Sequence, residues 1–217
     1  LNGAEVDPKF IGRDNPYLEK TDLVPEEPLK ELGPAEAGIP LCCHVGDGAG
    51  VAYPPNERGS SFAHFSISPF ALLKQIPQFV FSGAFERFPK LQVSVAECRI
   101  GWLPFLITWM DRQVEVRPPD PTAPLSMLPS EYVKRNMTFT FEEDYIGAHM
   151  LAHDLAHIKH CVMWGSDYPH DEGTPPYSIE SIRAVFHEVG EEELRDVLAG
   201  NAAALYDFDL DALIGEA

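Results

Sequence analysis

Residues that can bind a metal ion or move a proton stand at the ends of four apolar segments of this sequence. His44 ends the first segment and Glu97 the second, Glu142 and Glu143 end the third, and Asp167 ends the fourth. Imidazole and carboxylate groups bind zinc, manganese and similar divalent ions, and both take part in proton transfer. The pattern therefore indicates a site to which several segments each contribute one or two side chains.

Asp167 and His44 are the two candidate metal ligands, and each also has a structural interpretation. Asp167, between Gly165 and Pro169, is a metal ligand, general base or proton donor, or else it caps a helix or forms a turn. His44, a single histidine after an apolar segment, is a ligand or a hydrogen-bonded core residue. If both segments are parallel strands, the two side chains converge on one face, which favours the metal site.

Three further residues are candidates for catalysis or substrate binding. Glu97 is a ligand, a base, or the ion-pair partner of Arg99. His170 donates to a substrate, orients Asp167, or makes a structural bond in its loop. Arg99 is a candidate for binding a substrate carboxylate, because its guanidinium can hold two oxygens.

The segment HMLAHDLAHIKH places His149, His153 and His157 four residues apart. HDLAH is weakly similar to the H-E-x-x-H motif of zinc proteases, with Asp154 in place of the glutamate. An ordinary amphipathic helix gives the same spacing, and we favour that interpretation.

The elements that position these residues alternate between short apolar runs and longer segments with helical periodicity. Parallel βα units are therefore predicted, in a (β/α) barrel or an open α/β sheet. HVGDGAG lacks the spacing and the following helix of a dinucleotide-binding motif, so that fold is rejected. The predicted strands are Ile39–Val45, Leu91–Glu97, Asn136–Glu143 and Cys161–Asp167. The predicted helices cover residues 69–88 and 101–116, a segment ending near 159, and one or two further helices ending near 206.

Composition narrows the class of protein. Of the 217 residues, 45% are hydrophobic, and 34 acidic against 16 basic residues give a net charge of −18. A surface this acidic repels nucleic acid and anionic membranes, which favours a soluble protein that acts on small molecules. No apolar run reaches the length of a membrane span, and four cysteines without a C-x-x-C pair indicate reduced thiols in the cytoplasm. Residues 1–38, rich in Pro, Asp and Glu, are interpreted as an irregular N-terminal arm, and residues 39–217 as the folded domain.

Three segments together resemble one family: FSGAFERFPKLQVSVAECRIGW, MWGSDYPHDEGTPPYS and VLAGNAAALYDFD. They are similar to the amidohydrolase-2 family, the relatives of aminocarboxymuconate-semialdehyde decarboxylase. The resemblance implies a (β/α)8 TIM barrel with one divalent metal ion, zinc or manganese. It implies that His44 is the metal ligand of the fifth strand and Asp167 the aspartate of the eighth. Glu97 stands where many members have a catalytic histidine, and one branch has E-x-x-I-G-W there.

The resemblance also implies that this chain covers about the last four βα units of the barrel. Family members begin with a strand bearing H-x-H or E-x-H, whereas this chain has no histidine before His44 and begins with Leu1. A half-barrel has unpaired strands at both edges. We therefore expect either a fragment that lacks its N-terminal half or a chain that closes by association, most simply as a homo-oligomer.

The implied activity is metal-dependent decarboxylation of a small carboxylated substrate, aromatic or unsaturated. Hydrolysis of a small lactone or amide uses the same residues, with the metal lowering the pKa of a water molecule and Asp167 accepting its proton. A catalytically inactive half-barrel, retained for association, is the third hypothesis.

Overall fold

The computed structural model describes residues 38–44, 58–122, 124–153 and 156–215. Its four strands form one parallel sheet in the order β1–β2–β3–β4. All but the last residue of the predicted N-terminal arm lies outside the described residues. The strands are β1 Leu41–His44, β2 Val93–Ala96, β3 Met137–Phe141 and β4 Val162–Trp164.

Helical segments connect successive strands, so the predicted parallel βα arrangement is confirmed. Because each strand pairs with the next one along the chain, the carboxyl ends of all four lie at the same edge of the sheet. The α-helices are α1 Ser60–Ile67, α2 Leu72–Phe81, α3 Ala84–Arg87, α4 Leu103–Val116, α5 Pro129–Asn136, α6 Tyr145–His153, α7 Ser178–Val185, α8 Glu191–Arg195, α9 Asn201–Tyr206 and α10 Leu210–Gly215. Ser68–Ala71 and Ala156–Cys161 are 3-10 helices, and Asp196–Gly200 is a π-helix.

Several boundaries differ from the predicted ones. The helix predicted over residues 69–88 is divided at Gly83, whose φ of 71° is left-handed and separates α2 from α3. The helix predicted to end near residue 159 stops as α6 at His153 and gives way to the 3-10 turn. Asn136, expected to open the third strand, is instead the last residue of α5, a helix that was not predicted.

The core lies around the two central strands, β2 and β3. Val93, Val95, Phe139 and Phe141 are almost completely buried, as expected for strands covered on both faces. Burial of each such side chain contributes about 1.5–3 kcal/mol. Aromatic pairs extend this core. The ring centroids lie 6.0 Å apart for Phe79 and Phe85, 6.4 Å for Phe85 and Tyr132, and 5.6 Å for Phe141 and Phe186.

Two asparagine amides fix the strands that carry the candidate site residues. Asn136 donates to the carbonyl oxygens of Pro89 and Leu91, at 3.0 and 2.7 Å, just before β2. Asn201, in the third segment of the family resemblance, donates to the carbonyl oxygens on either side of the start of β4, those of Lys159 and Val162, at 2.8 and 2.7 Å. Each amide ties a helix to a strand entrance, so the positions of β2 and β4 depend on the helices behind them.

The outer strands of the described sheet are β1 and β4, each hydrogen-bonded to one neighbour. Cys42 is exposed on β1, whereas Cys98 and Cys161 are buried, and all four cysteines carry free thiols as expected. Among the described residues, no helix combines the length and the apolar character needed to cross a membrane.

Candidate active site

Four of the sequence-predicted site residues meet at the carboxyl end of the sheet. His44 Nε2 lies 3.0 Å from Glu97 Oε1. His170 Nδ1 lies 2.7 Å from Asp167 Oδ1 and 3.8 Å from the same Glu97 oxygen. One ligand atom each from Glu97, Asp167 and His170 falls within 4.8 Å of the other two. We call these four residues the strand-end cluster.

An unusual backbone conformation aims the side chains of this cluster. Glu97, Arg99 and Asp167 have φ values of 52°, 53° and 56°, in the left-handed region that residues other than glycine rarely adopt. Each such residue costs about 1–2 kcal/mol, and such strain concentrates at functional sites. The turn after β2 is held by Thr140, whose hydroxyl accepts from the Glu97 amide at 3.0 Å and whose carbonyl accepts from the Cys98 amide at 3.2 Å.

The buried carboxylate of Asp144 holds the same turn from the other side. Its Oδ2 accepts from the amides of Ile100 and Gly101 at 2.7 and 2.8 Å, and its Oδ1 accepts from the Gly147 amide at 2.9 Å. A Cβ atom on Gly147 would lie 2.3 Å from Ile100 Cγ1, so only glycine allows this close approach. Asp144 thereby connects the start of α6 to the segment after Glu97. Asp144 was not among the site residues predicted from the sequence.

The loop after β4 folds back on itself and carries Asp167 and His170. The His170 amide donates to the Asp167 carbonyl at 2.9 Å, and the Thr174 amide donates to the Ser166 carbonyl at 2.9 Å. A Cβ atom on Gly173 would lie 2.6 Å from the Asp167 carbonyl oxygen, so this turn also requires glycine. The result is an Asp167 side chain only 6% exposed, beside a His170 side chain that is 59% exposed.

Arg99 is held beside the cluster by a different set of partners. Its Nη2 lies 3.0 Å from Glu142 Oε1, and its Nη1 donates to the Glu143 carbonyl. The carboxylate of Glu143 in turn accepts from the Ser181 hydroxyl at 2.7 Å. Among the described residues, Arg99 thus pairs with Glu142 rather than with Glu97, the partner considered in the sequence.

The electrostatics of the cluster follow from crowding of charged groups in a partly buried space. Burial, a hydrogen bond with Asp167 and the negative charge of Asp167 raise the pKa of Glu97, while His44 opposes this rise. The hydrogen bond and the charge of Asp167 raise the pKa of His170. Burial raises the pKa of Glu142, and the positive charge of Arg99 counteracts it.

The donor set of the strand-end cluster fits a divalent metal ion. A carboxylate oxygen of Glu97 lies within 4.8 Å of one of Asp167, so the two groups repel each other when both are ionised, and a cation between them removes that repulsion. Imidazole nitrogen with carboxylate oxygen is the ligand combination used for zinc and manganese. The residues present therefore satisfy the chemical requirement of such an ion.

Comparison with known proteins gives a family match over most of the chain. Residues 35–208 match the model of the amidohydrolase family, of the amidohydrolase-2 type. No curated protein matches the sequence.

Solved structures with a similar fold include several decarboxylases. One is 5-carboxyvanillate decarboxylase from Sphingomonas paucimobilis, with a TM-score of 0.60 and 22% identity over 81% of this chain and 51% of that chain. Another is 2,6-dihydroxybenzoate decarboxylase from Rhizobium, with a TM-score of 0.62 and 15% identity over 84% of this chain and 55% of that chain. A third is dihydroxybenzoic acid decarboxylase from Polaromonas sp. JS666, with bound manganese and the inhibitor 2-nitroresorcinol. Its TM-score is 0.60, with 14% identity over 82% of this chain and 52% of that chain.

These likenesses confirm the predicted fold class. The four parallel βα units correspond to about half of a (β/α)8 barrel, and the chain spans about half the length of the solved structures it matches.

Proposed function

The chain belongs to the amidohydrolase family, and from that premise we propose that the protein is a metal-dependent decarboxylase of a small carboxylated aromatic or unsaturated substrate. The observation that carries the proposal is the contact among Glu97, Asp167 and His170 where the sheet's strands end. It is supported by the solved structures of similar fold, which are named as decarboxylases of aromatic acids.

In this proposal Asp167, Glu97 and His170 hold one divalent ion, manganese or zinc, and His44, which contacts Glu97, is a further donor. When bound, such an ion supplies positive charge that polarises substrate oxygens. Manganese is favoured as the first metal to test, because it is bound in the solved dihydroxybenzoic acid decarboxylase.

We assign proton transfer to Asp167. In a decarboxylation of this type, a proton adds to the carbon that bears the carboxylate and the carbon–carbon bond then breaks. The electrons of that bond return to the substrate framework and the carboxylate leaves as carbon dioxide, so a proton takes the place of the carboxylate group. The Asp167 side chain is nearly buried, and the neighbouring His170 and Glu97 offer a route for its reprotonation.

We assign Arg99 the orientation of the substrate carboxylate. Its side chain is 42% exposed, while Glu142 and the Glu143 carbonyl fix the guanidinium from one side. A guanidinium held in this way loses little further freedom when it binds a second carboxylate. It also supplies local positive charge, which a substrate anion needs on a chain with a net charge of −18.

The test measures carbon dioxide release from a panel of hydroxylated aromatic acids, with the protein loaded with manganese or treated with a chelator. We expect release that requires the metal, is lost in Asp167→Asn and is retained in Asp171→Asn, a neighbouring exposed carboxylate. Ring opening of lactones or cleavage of amides, without carbon dioxide release, would show that the protein is a hydrolase and not a decarboxylase. A metal-loaded protein that acts on neither substrate class would contradict both.

We further propose that the protein is active as a homo-oligomer or with a separate N-terminal half that completes the barrel. The outer position of β1 and β4 in the described sheet supports this proposal, because unpaired strand edges favour pairing with another chain. Analytical ultracentrifugation tests it. A stable, well-folded monomer would contradict it.

A further inference from the structure

A second group of histidine and carboxylate side chains lies on the helical layer. His149 and His153 are in α6, and Glu188 follows α7. All three residues are exposed. Because α6 begins after the carboxyl end of β3 and leads back toward the start of β4, the group belongs to a different part of the βα unit from the strand-end cluster.

Helical spacing brings the two imidazoles together. Residues four apart share one face of a helix, and the ring centroids of His149 and His153 are 4.6 Å apart. Both rings approach the same oxygen: His149 Nδ1 lies 2.5 Å and His153 Nε2 lies 3.7 Å from Glu188 Oε2. The three ligand atoms all fall within 4.8 Å of one another.

We propose that His149, His153 and Glu188 form a second metal site, which takes a zinc-type divalent transition-metal ion. Two imidazole nitrogens and one carboxylate oxygen are a donor set that zinc accepts with its fourth position left to water. Such water has access here, because the side chains of the three residues are 59%, 53% and 41% exposed.

The geometry needs only small side-chain rotations to accept the ion. With metal–ligand bonds of about 2.0–2.2 Å and tetrahedral angles, two ligand atoms lie about 3.4 Å apart. The 3.7 Å separation of His153 and Glu188 is close to this value, and the 2.5 Å separation of His149 and Glu188 must widen by about 1 Å. Exposed side chains can make that change without displacing the backbone.

A third histidine, His187, also lies near the Glu188 carboxylate. His187 Nε2 lies 4.0 Å from Glu188 Oε1, while its Nδ1 lies 2.9 Å from the Ala184 carbonyl oxygen, so a third imidazole faces the same carboxylate. Three imidazoles thus lie within 4.0 Å of one carboxylate. A zinc ion among these groups would accept neutral imidazole nitrogen and carboxylate oxygen as ligands.

Zinc bound in this way would tie α6 to the segment after α7. These elements come from successive βα units, so the ion would cross-link the outer helical layer and stabilise the folded state by mass action. The proposed site uses none of the residues assigned to decarboxylation and is independent of that activity.

The experiment is a zinc titration of the full chain with the Asp167→Asn substitution, which removes a ligand from the strand-end cluster. Calorimetry is expected to show one equivalent of zinc, with an affinity that falls at least about tenfold in His149→Ala and in His153→Ala. His160→Gln, which changes an exposed histidine outside the group, is the matched control and should bind zinc unchanged.

Glu188→Gln keeps the shape of the third ligand and should also weaken zinc binding. Circular dichroism without zinc checks that each variant is folded, and zinc should raise the melting temperature of the parent but not of His149→Ala/His153→Ala. Zinc affinity that is unchanged in that double variant, or no zinc binding by the Asp167→Asn parent, would overturn the proposal.

Discussion

The strand-end cluster and the α6 group contain the same kinds of donor, but the chain builds them differently. Asp167 and Glu97 are 6% and 28% exposed, and each follows a strand in a left-handed conformation. His149 and Glu188 are 59% and 41% exposed, and α6 supplies both of its histidines from an ordinary helical spacing. The first arrangement therefore depends on strained backbone after two strands, and the second depends on an ordinary helix and on the segment after α7 that supplies Glu188.

This difference has an energetic consequence. Charges in a partly buried site interact strongly, because the surrounding medium screens them poorly. Charges on an exposed helix are screened by water and salt. Substitutions in or under the strand-end cluster should therefore have large effects, and those in the α6 group should matter only when metal is present.

The largest effect is expected for Asp167→Asn. The amide has the shape of the carboxyl group but cannot deliver its proton, so decarboxylation by the manganese-loaded protein should fall by about 10²–10⁴-fold. Initial rates of carbon dioxide release measure this change. His149→Ala should keep the original rate, and an Asp167→Asn variant as active as its parent would exclude Asp167 from proton transfer.

Asp144→Ala should cause the next largest effect, on stability instead of chemistry. The substitution removes the acceptor of three backbone amides, and each buried amide left without a partner costs about 1–3 kcal/mol. Urea denaturation should show a loss of about 3 kcal/mol or more. Asp171→Ala, an exposed carboxylate, should change stability by less than about 0.5 kcal/mol. Equal stability of the two variants would contradict the role of Asp144.

The titration of His170 tests the electrostatic coupling within the cluster. In chelator-treated protein, NMR should give His170 a pKa above its ordinary value, because Asp167 stabilises the imidazolium. A folded-state pKa above the unfolded one means that the pair stabilises the fold fully at acid pH. This stabilisation is lost as the pH rises through the folded-state pKa. Asp167→Asn should return the pKa of His170 toward its ordinary value, and an unchanged pKa would contradict the coupling.

The smallest effect is expected for Glu188→Gln without metal. Exposed ion pairs contribute little to folding, so the urea midpoint should not shift measurably. A marked loss of stability in metal-free protein would show that the α6 group is structural without an ion.

The sequence predicted the parallel fold because its signals are strong and local. Continuous apolar runs marked all four strands, and a polar residue after each run marked the edge where the site residues lie. Helix α5 was missed because it is short and mostly polar: its buried side chains include Tyr132 and Val133 within barely two turns. A pattern that brief does not establish a helical period.

The contacts within the site were harder to predict. Glu97 and Asp167 follow β2 and β4, which are separated by β3, yet a carboxylate oxygen of each lies within 4.8 Å of the other. That contact depends on left-handed backbone at both residues, a conformation that propensity assigns to glycine. Asp144 was missed because its three hydrogen-bond partners are backbone amides, which every residue type except proline carries, so no residue pattern in the sequence indicates them. The pair of Gly101 and Gly147 was the only available signal of a close approach there.

The most direct test of the central claim is a manganese titration of this chain, with free Mn²⁺ measured by electron paramagnetic resonance. Manganese prefers oxygen-rich sites to imidazole-rich ones, so it distinguishes the strand-end cluster from the α6 group. We predict one manganese site whose affinity falls at least about tenfold in Asp167→Asn and is unchanged in His149→Ala/His153→Ala. Absence of manganese binding, or equal affinity in the Asp167→Asn variant and its parent, would contradict it.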